Sequence, residues 1–136
     1  MGIVYAEVAL QNLKDVISAE IGLIKNEEIR QTSVTAIVDT GAGTMIINEE
    51  LRQKLGLELK EPKQVELADG SKHVCNYTDH VYIHWKDRTA TCKPILVPTA
   101  NDALLGALPL EEMDLIIHPA KLELTGAHGD EAVMRV

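Results

Sequence analysis

One stretch of the sequence combines an acidic side chain with the backbone setting that carboxylate chemistry needs. The apolar run Ala36-Ile37-Val38 ends at Asp39-Thr40-Gly41-Ala42. A buried strand would deliver Asp39 into a tight turn at the edge of the core, where an ionised carboxylate is poorly solvated. Gly41 would let the backbone bend there or be approached closely. The pattern indicates general acid–base chemistry, although an aspartate that only caps a turn would show the same residues.

Short strands are predicted over most of the chain that surrounds this stretch. Residues 3–10, 17–24 and 29–38 have strand-like apolar patterns, with a turn over 25–28. A further strand-like pattern covers residues 80–97 and is broken by a turn at Lys86-Asp87. Because strands do not alternate with helices, a doubly wound α/β fold is disfavoured.

The clearest helix signal comes soon after Asp39. Asn48 suits the N-cap of this helix, because its side chain can accept a backbone N–H of the first turn. Gly56 suits the C-terminal stop, since glycine tolerates the left-handed conformation found there. A second short helix is predicted over residues 109–113, with Pro109 in its first turn.

Two glycine-containing segments follow the first helix. Asp69-Gly70 lies between the strand-like residues 65–68 and 71–77, and Asp-Gly between strands favours a hairpin with a type I′ turn. Further along, Leu104-Leu105-Gly106 is a short apolar run that ends in glycine.

The order of these elements resembles that of the retroviral-type aspartic proteases, and most closely their small bacterial single-domain members. The resemblance rests on a strand ending in Asp-Thr-Gly-Ala, a helix, a hairpin tipped by Asp-Gly and a Leu-Leu-Gly run, over about residues 3–119. It implies an all-β fold, a closed acid-protease-type barrel with one or two short helices. We assign residues 1–124 to this domain and residues 125–136 to a C-terminal tail or edge segment.

In this family each chain of a homodimer supplies one catalytic aspartate. The sequence contains one Asp-Thr-Gly motif. A similar stretch, Leu124-Thr125-Gly126-Ala127, cannot supply a second catalytic aspartate, because it has Leu where the carboxylate would be. The resemblance therefore implies an aspartic endopeptidase in which Asp39 and its two-fold mate activate water to cleave a peptide or protein substrate, without a metal or other cofactor. Thr40, Gly41 and Ala42 would form the active-site loop.

The resemblance also implies the walls of a substrate cleft. The hairpin tip would be a flap that closes over the substrate, formed by Ala68, Asp69 and Gly70. The later run would line or support the cleft through Leu104 and Leu105, although a role in the core alone suits both leucines equally well. Gly106 would let the chain pass close to the Asp39 loop.

Two positions depart from the family pattern. Retroviral enzymes commonly carry acidic residues just after the alanine, where this chain has Gly43-Thr44-Met45. Their later glycine is often followed by arginine, whereas Ala107 follows Gly106 here. A non-catalytic peptide-binding or dimerisation module on the same fold is therefore a second hypothesis, and a structural β-domain without a cleft is a third.

Composition narrows the expected partners and compartment. The 136 residues include 13 basic and 21 acidic side chains, a net charge of −8 without a basic cluster, so nucleic acid is not an expected partner. No apolar run approaches the roughly 20 residues of a membrane span, and the first residues lack the pattern of a secretion signal. We expect a cytoplasmic protein without a membrane partner, in which Cys75 and Cys92 are free thiols.

Overall fold

The computed structural model describes residues 2–67, 69–118, 120–129 and 132, which form short β-strands and three short α-helices. The strands are β1 (Tyr5–Asn12), β2 (Gln31–Val38), β3 (Ile46–Ile47), β4 (Leu59–Glu66), β5 (Lys72–Thr78), β6 (Val81–Trp85), β7 (Arg88–Cys92), β8 (Ile95–Leu96), β9 (Leu104–Leu105), β10 (Leu115–His118) and β11 (Glu123–Gly126). The helices are α1 (Leu13–Glu20), α2 (Glu49–Leu55) and α3 (Ala107–Glu112). The prediction of an all-β chain with few short helices is confirmed, although the described residues form three α-helices where one or two were predicted. None of the described helices has the length and apolar character needed to cross a membrane.

Nine strands form one sheet in the order β4-β5-β8-β3-β9-β2-β1-β6-β7, and β10 pairs with β11 in a separate hairpin. The strand β9 runs parallel to β2 and antiparallel to β3. It therefore lies between the two strands that flank the Asp39 segment. Because β4 and β7 stand at the two ends of this order, closure of the sheet into a barrel is not among the described strand pairings and stays a prediction.

The core is aliphatic, in keeping with a sequence that contains no Phe. The alternation along β1 buries Ala6, Val8 and Leu10 while Tyr5 and Glu7 face outward. The apolar side chains with no exposed surface come from many elements along the chain: Leu10, Ala36, Met45, Ile47, Leu55, Leu57, Val81, Ile83 and Leu105. The end of β2 and Leu105 of β9 thus lie in a well-packed interior.

The helix predicted after Asp39 is confirmed as α2. The Asn48 side chain accepts the Leu51 N–H at 3.0 Å, and Gly56 ends the helix in the left-handed region with φ 63°. Glu50 and Lys54 form an ion pair of 3.3 Å one turn apart on its exposed face. Local signals alone set both ends of this helix.

The strand predicted over residues 17–24 is wrong, because most of this segment belongs to helix α1 and a turn. The Asn12 side chain caps α1 by accepting the Asp15 N–H at 3.2 Å. Both carboxylate oxygens of Asp15 then bind the Arg30 guanidinium, at 2.8 and 3.0 Å. The apolar pattern that suggested a strand expresses a weak local preference, and the cap and this bidentate ion pair outweigh it.

The C-terminal hairpin crosses the expected domain boundary. Since β11 covers Glu123–Gly126, the division after residue 124 falls inside a strand that pairs with β10. Buried Arg88 anchors this region by donating to the carbonyl oxygens of Met113, Asp114 and Gly129. The rest of the expected tail lies largely outside the described residues, and the division into domain and tail stays a prediction.

A buried carboxylate at Asp79 holds the base of the β4–β5 hairpin. One Asp79 oxygen accepts the Glu58 N–H at 3.0 Å, and the other lies 3.2 Å from the ammonium groups of both Lys14 and Lys60. Burial raises the pKa of Asp79, but the Glu58 backbone hydrogen bond and the two lysines outweigh burial and hold this pKa below its usual value. The ionised carboxylate therefore stabilises the folded chain.

A lowered pKa gives a stabilisation that is complete above the ordinary carboxyl pKa and is lost as the pH falls through the folded-state pKa. Asp79→Asn should lower the free energy of unfolding by about 1–3 kcal/mol at pH 7, and its difference from the wild type should shrink below about pH 4. Urea unfolding at pH 7 and pH 3 measures both, with Asp87→Asn on an exposed turn as the matched control. Equal destabilisation at both pH values would contradict an ionic origin.

Candidate active site

Asp39 follows directly on the buried end of β2 and is held by backbone groups. Its N–H donates to the Leu105 carbonyl oxygen of β9 at 3.0 Å, continuing the pairing of Val38 with Leu105. The Gly41 N–H donates to Asp39 Oδ1 at 2.9 Å, and the Ala42 N–H donates to the Asp39 carbonyl oxygen at 3.1 Å. Among the described residues, the turn thus orients the carboxylate through backbone groups and without a hydrogen bond from another side chain.

The backbone at Gly106 lies directly against this turn. A Cβ built on Gly106 would stand 2.1 Å from the Thr44 carbonyl oxygen and 2.5 Å from that of Ala42. The next two N–H groups, at the start of α3, also reach the loop, because Ala107 donates to the Ala42 oxygen at 2.7 Å and the following N–H donates to the Gly43 oxygen at 3.0 Å. Three successive residues therefore fix the Asp39 loop from one side.

A cleft of about 780 Å³ has Asp39 in its wall. The loop residues Gly41, Ala42 and Gly43 lie on one side of it, and residues 63–67 of the β4–β5 hairpin lie on another. Most of the remaining lining is apolar or aromatic: Ile46, Tyr77, Ile95, Leu104 and Leu108. The Asp39 carboxylate, an apolar lining and a hairpin thus share a single space.

The predicted hairpin tip reaches this cleft only in part. Gly70, with φ 84°, lines the cleft, whereas the Asp69 carboxylate accepts the Ser71 hydroxyl at 2.5 Å and the Ser71 N–H at 2.9 Å. The Leu67 N–H donates to the Ser71 carbonyl oxygen, so the loop between these two bonded residues has three residues. The prediction of a type I′ turn, whose loop has two residues, is therefore wrong. Ala68 lies outside the described residues.

The other predicted site residues fall in three different settings. Leu104 is half-buried and lines the cleft, while Leu105 has no exposed surface and supports the wall from the core. Thr40 is exposed and lies outside the cleft lining, and its hydroxyl makes no hydrogen bond with any residue that the structure describes. Within the same described ranges, no group of His, Cys, Asp or Glu is arranged to hold a metal ion.

Several cleft residues were missed by the sequence reasoning. Lys63 and Glu66 place charges beside the apolar wall, and Tyr77 contributes the aromatic ring. Side chains two residues apart in a strand point to the same face. Lys63 could therefore have been predicted to face the cleft together with Val65. Leu108 gave no signal, because its position depends on α3 beginning two residues earlier than predicted.

Comparison with known proteins gives a family match over most of this site. A family model described as "gag-polyprotein putative aspartyl protease" matches residues 26–112, more than half of the chain. Among solved structures, the chain is similar to a retropepsin-like aspartic protease from Rickettsia conorii, with 18% identity and a TM-score of 0.45, covering 87% of this chain and 89% of that one. No curated protein matches the chain.

The contact at Gly106 predicts a steep cost for one added methyl group. Gly106→Ala should lower the free energy of unfolding by about 1–3 kcal/mol, because the methyl would meet backbone oxygens that cannot turn aside. Gly43→Ala is the matched control, since a Cβ there meets nothing within 4 Å and should change stability by less than about 0.5 kcal/mol. Urea unfolding of both variants tests the difference, and equal stability of the two would contradict the close contact.

Proposed function

The chain belongs to the gag-polyprotein family of retropepsin-like aspartyl proteases, and on that premise we propose that it is a homodimeric aspartic endopeptidase. The observation that carries the proposal is the setting of Asp39, a carboxylate oriented by its own turn and facing a cleft shared with a hairpin. Each chain has one Asp-Thr-Gly aspartate, whereas peptide hydrolysis by an aspartic protease needs two carboxylates. A two-fold axis through the Asp39 loops would bring them together in an isologous interface.

The chemistry follows from placing two carboxylates side by side. At a separation of about 3 Å they cannot both ionise easily, so the pair shares one proton, as in aspartic proteases generally. The ionised Asp39 takes a proton from a water held between the two carboxyls, while the protonated Asp39 donates a hydrogen bond to the scissile carbonyl. The water oxygen bonds to the carbonyl carbon while the protonated Asp39 passes its proton to the carbonyl oxygen, and a tetrahedral diol forms. A proton then passes to the amine as the C–N bond breaks.

The residues beside Asp39 have roles in this proposal that fit their positions. The exposed hydroxyl of Thr40 is available to bond across the dimer and to brace the two loops. Gly41 and Ala42 leave the cleft open to a substrate backbone, because neither carries a bulky side chain. Leu104 would pack against an apolar part of the substrate.

The β4–β5 hairpin is proposed as the flap. Nearly every residue of β4 is exposed, so the hairpin extends from the sheet as a ribbon. Its residues 63–67 and Gly70 face the same cleft as Asp39. Closure over an extended peptide would exclude water and add backbone hydrogen bonds to the substrate.

Exposed apolar side chains support the proposed dimer. A Cβ on Gly2 would meet Leu122 Cδ1 at 2.8 Å, so the N-terminal segment lies against the C-terminal hairpin. Ile3 and Leu122 in this region are 61% and 39% exposed. A second copy that covers these side chains would remove apolar surface from water.

The compartment proposed is the cytoplasm. Cys75 and Cys92 are both free thiols. Burial raises the pKa of the Cys92 thiol, which disfavours its reactive thiolate form. Free thiols are the usual state in a reducing compartment.

The alternative is a non-catalytic peptide-binding module, suggested by Gly43 and Ala107. In the family pattern, acidic residues after the alanine contact the substrate main chain and an arginine after the later glycine braces the site. Gly43 and Ala107 lack these charged side chains. In this chain the backbone at the same two positions supplies a brace, through the Ala107 N–H and the Gly43 carbonyl oxygen. The catalytic proposal is therefore preferred, and a cleavage assay separates it from the alternative.

Asp39→Asn should abolish peptide cleavage while the chain stays folded and dimeric. The assay incubates purified protein with a diverse peptide pool and identifies new termini by mass spectrometry, with Asp87→Asn as a control of the same chemical type on an exposed turn. A statine-type inhibitor, which mimics the tetrahedral diol, should block the wild-type activity. Cleavage that persists in Asp39→Asn would reject the proposal, and peptide binding without products would favour the binding module.

A shared active site predicts interference between active and inactive chains. When wild type and Asp39→Asn are mixed in equal amounts and exchange subunits at random, activity per wild-type chain should fall to about half, because half of the wild-type chains then pair with an inactive mate. The dimer itself is measured by sedimentation. Activity that is unchanged after complete exchange would mean that each chain works alone.

A further inference from the structure

A second cavity, of about 970 Å³, adjoins the proposed cleft and has no part in the mechanism above. Thr44, Tyr77 and Leu108 line both spaces, so the two lie side by side at these residues. From there the second cavity extends toward the end of α3 and the β10–β11 hairpin. A peptide that lies extended across Asp39 could therefore continue into it.

The wall of this second cavity combines apolar surface with two acidic side chains. Leu108, Leu115 and Ile116 supply the apolar part, and Glu111 and Glu112 project from α3. The Glu112 carboxylate accepts the Thr91 N–H at 3.3 Å. No Lys, Arg or His in the described ranges lies within ion-pair distance of either glutamate.

The remaining lining charges already have partners. Lys93 is ion-paired with Glu61 of β4, and its ammonium lies 4.4 Å from the centre of the Tyr77 ring. Asp114 is 2.7 Å from the His128 ring nitrogen. Among the described charged residues that line this cavity, the two glutamates on α3 are therefore the ones without an ion-pair partner, and their negative charge faces a ligand.

We propose that the second cavity is a distal substrate subsite that takes a lysine or arginine side chain. The inference rests on the proposed protease function and names a substrate class for it. The aliphatic stem of the basic residue would lie on Leu108 and Ile116, and its charged end would reach Glu111 and Glu112. Because the cavity lies beyond the part of the cleft that contains Asp39, the selected residue stands outside the two that flank the scissile bond.

Cleavage profiling of the full chain tests this subsite. The wild type should cut a proteome-derived peptide pool with Lys and Arg enriched about threefold at one fixed position outside the scissile pair, as suits partly exposed charges. The double variant Glu111→Gln/Glu112→Gln should lose this enrichment while still cleaving. The control Glu20→Gln/Glu27→Gln removes the same charge from exposed sites on other elements and should keep it. High salt should weaken the enrichment in the wild type.

The outcomes separate this inference from the function on which it rests. Asp39-dependent cleavage without basic enrichment, or with enrichment that the Glu111→Gln/Glu112→Gln variant retains, overturns the subsite and leaves the protease proposal standing. The absence of any Asp39-dependent cleavage overturns the protease proposal and this inference with it.

Discussion

The place of Asp39 depends on a contact between backbone segments that leaves no room for a side chain. At Gly106 the chain passes so close to the carbonyl oxygens of Ala42 and Thr44 that a Cβ would overlap them. This contact is possible because β9 lies between the strands on either side of the Asp39 loop. The loop therefore takes its shape from strand order and from one missing methyl group.

Backbone bracing also explains why this chain tolerates departures from the family pattern. Charged side chains after the alanine and after the later glycine are replaced here by Gly43 and Ala107. The Ala107 N–H nevertheless donates to Ala42, and the next N–H donates to Gly43. Backbone donors survive almost any substitution except proline. The brace therefore does not depend on charged side chains at these two positions.

Features set by neighbours in sequence were predictable, and features set by distant contacts were not. Asn48 and Gly56 mark the ends of α2 through local capping alone. In contrast, α1 depends, besides its Asn12 cap, on Asp15 meeting Arg30 just before β2, and no local pattern reveals that contact. The Asp39 turn could be predicted because an apolar strand precedes it. The position of Leu108 in the walls of both cavities could not, because it depends on how α3 packs against the Asp39 loop.

The two sides of the cleft are held by different forces. The Asp39 side rests on a buried aliphatic core and on backbone hydrogen bonds, which salt and pH affect little. The β4–β5 hairpin is mostly exposed and is tied at its base by charged groups, through Asp79 with its two lysines and through Glu61 with Lys93. Elements with few buried contacts open at lower free energy than the core. In the proposed protease, the hairpin would therefore move to admit a peptide while the carboxylate that acts on that peptide stays in place.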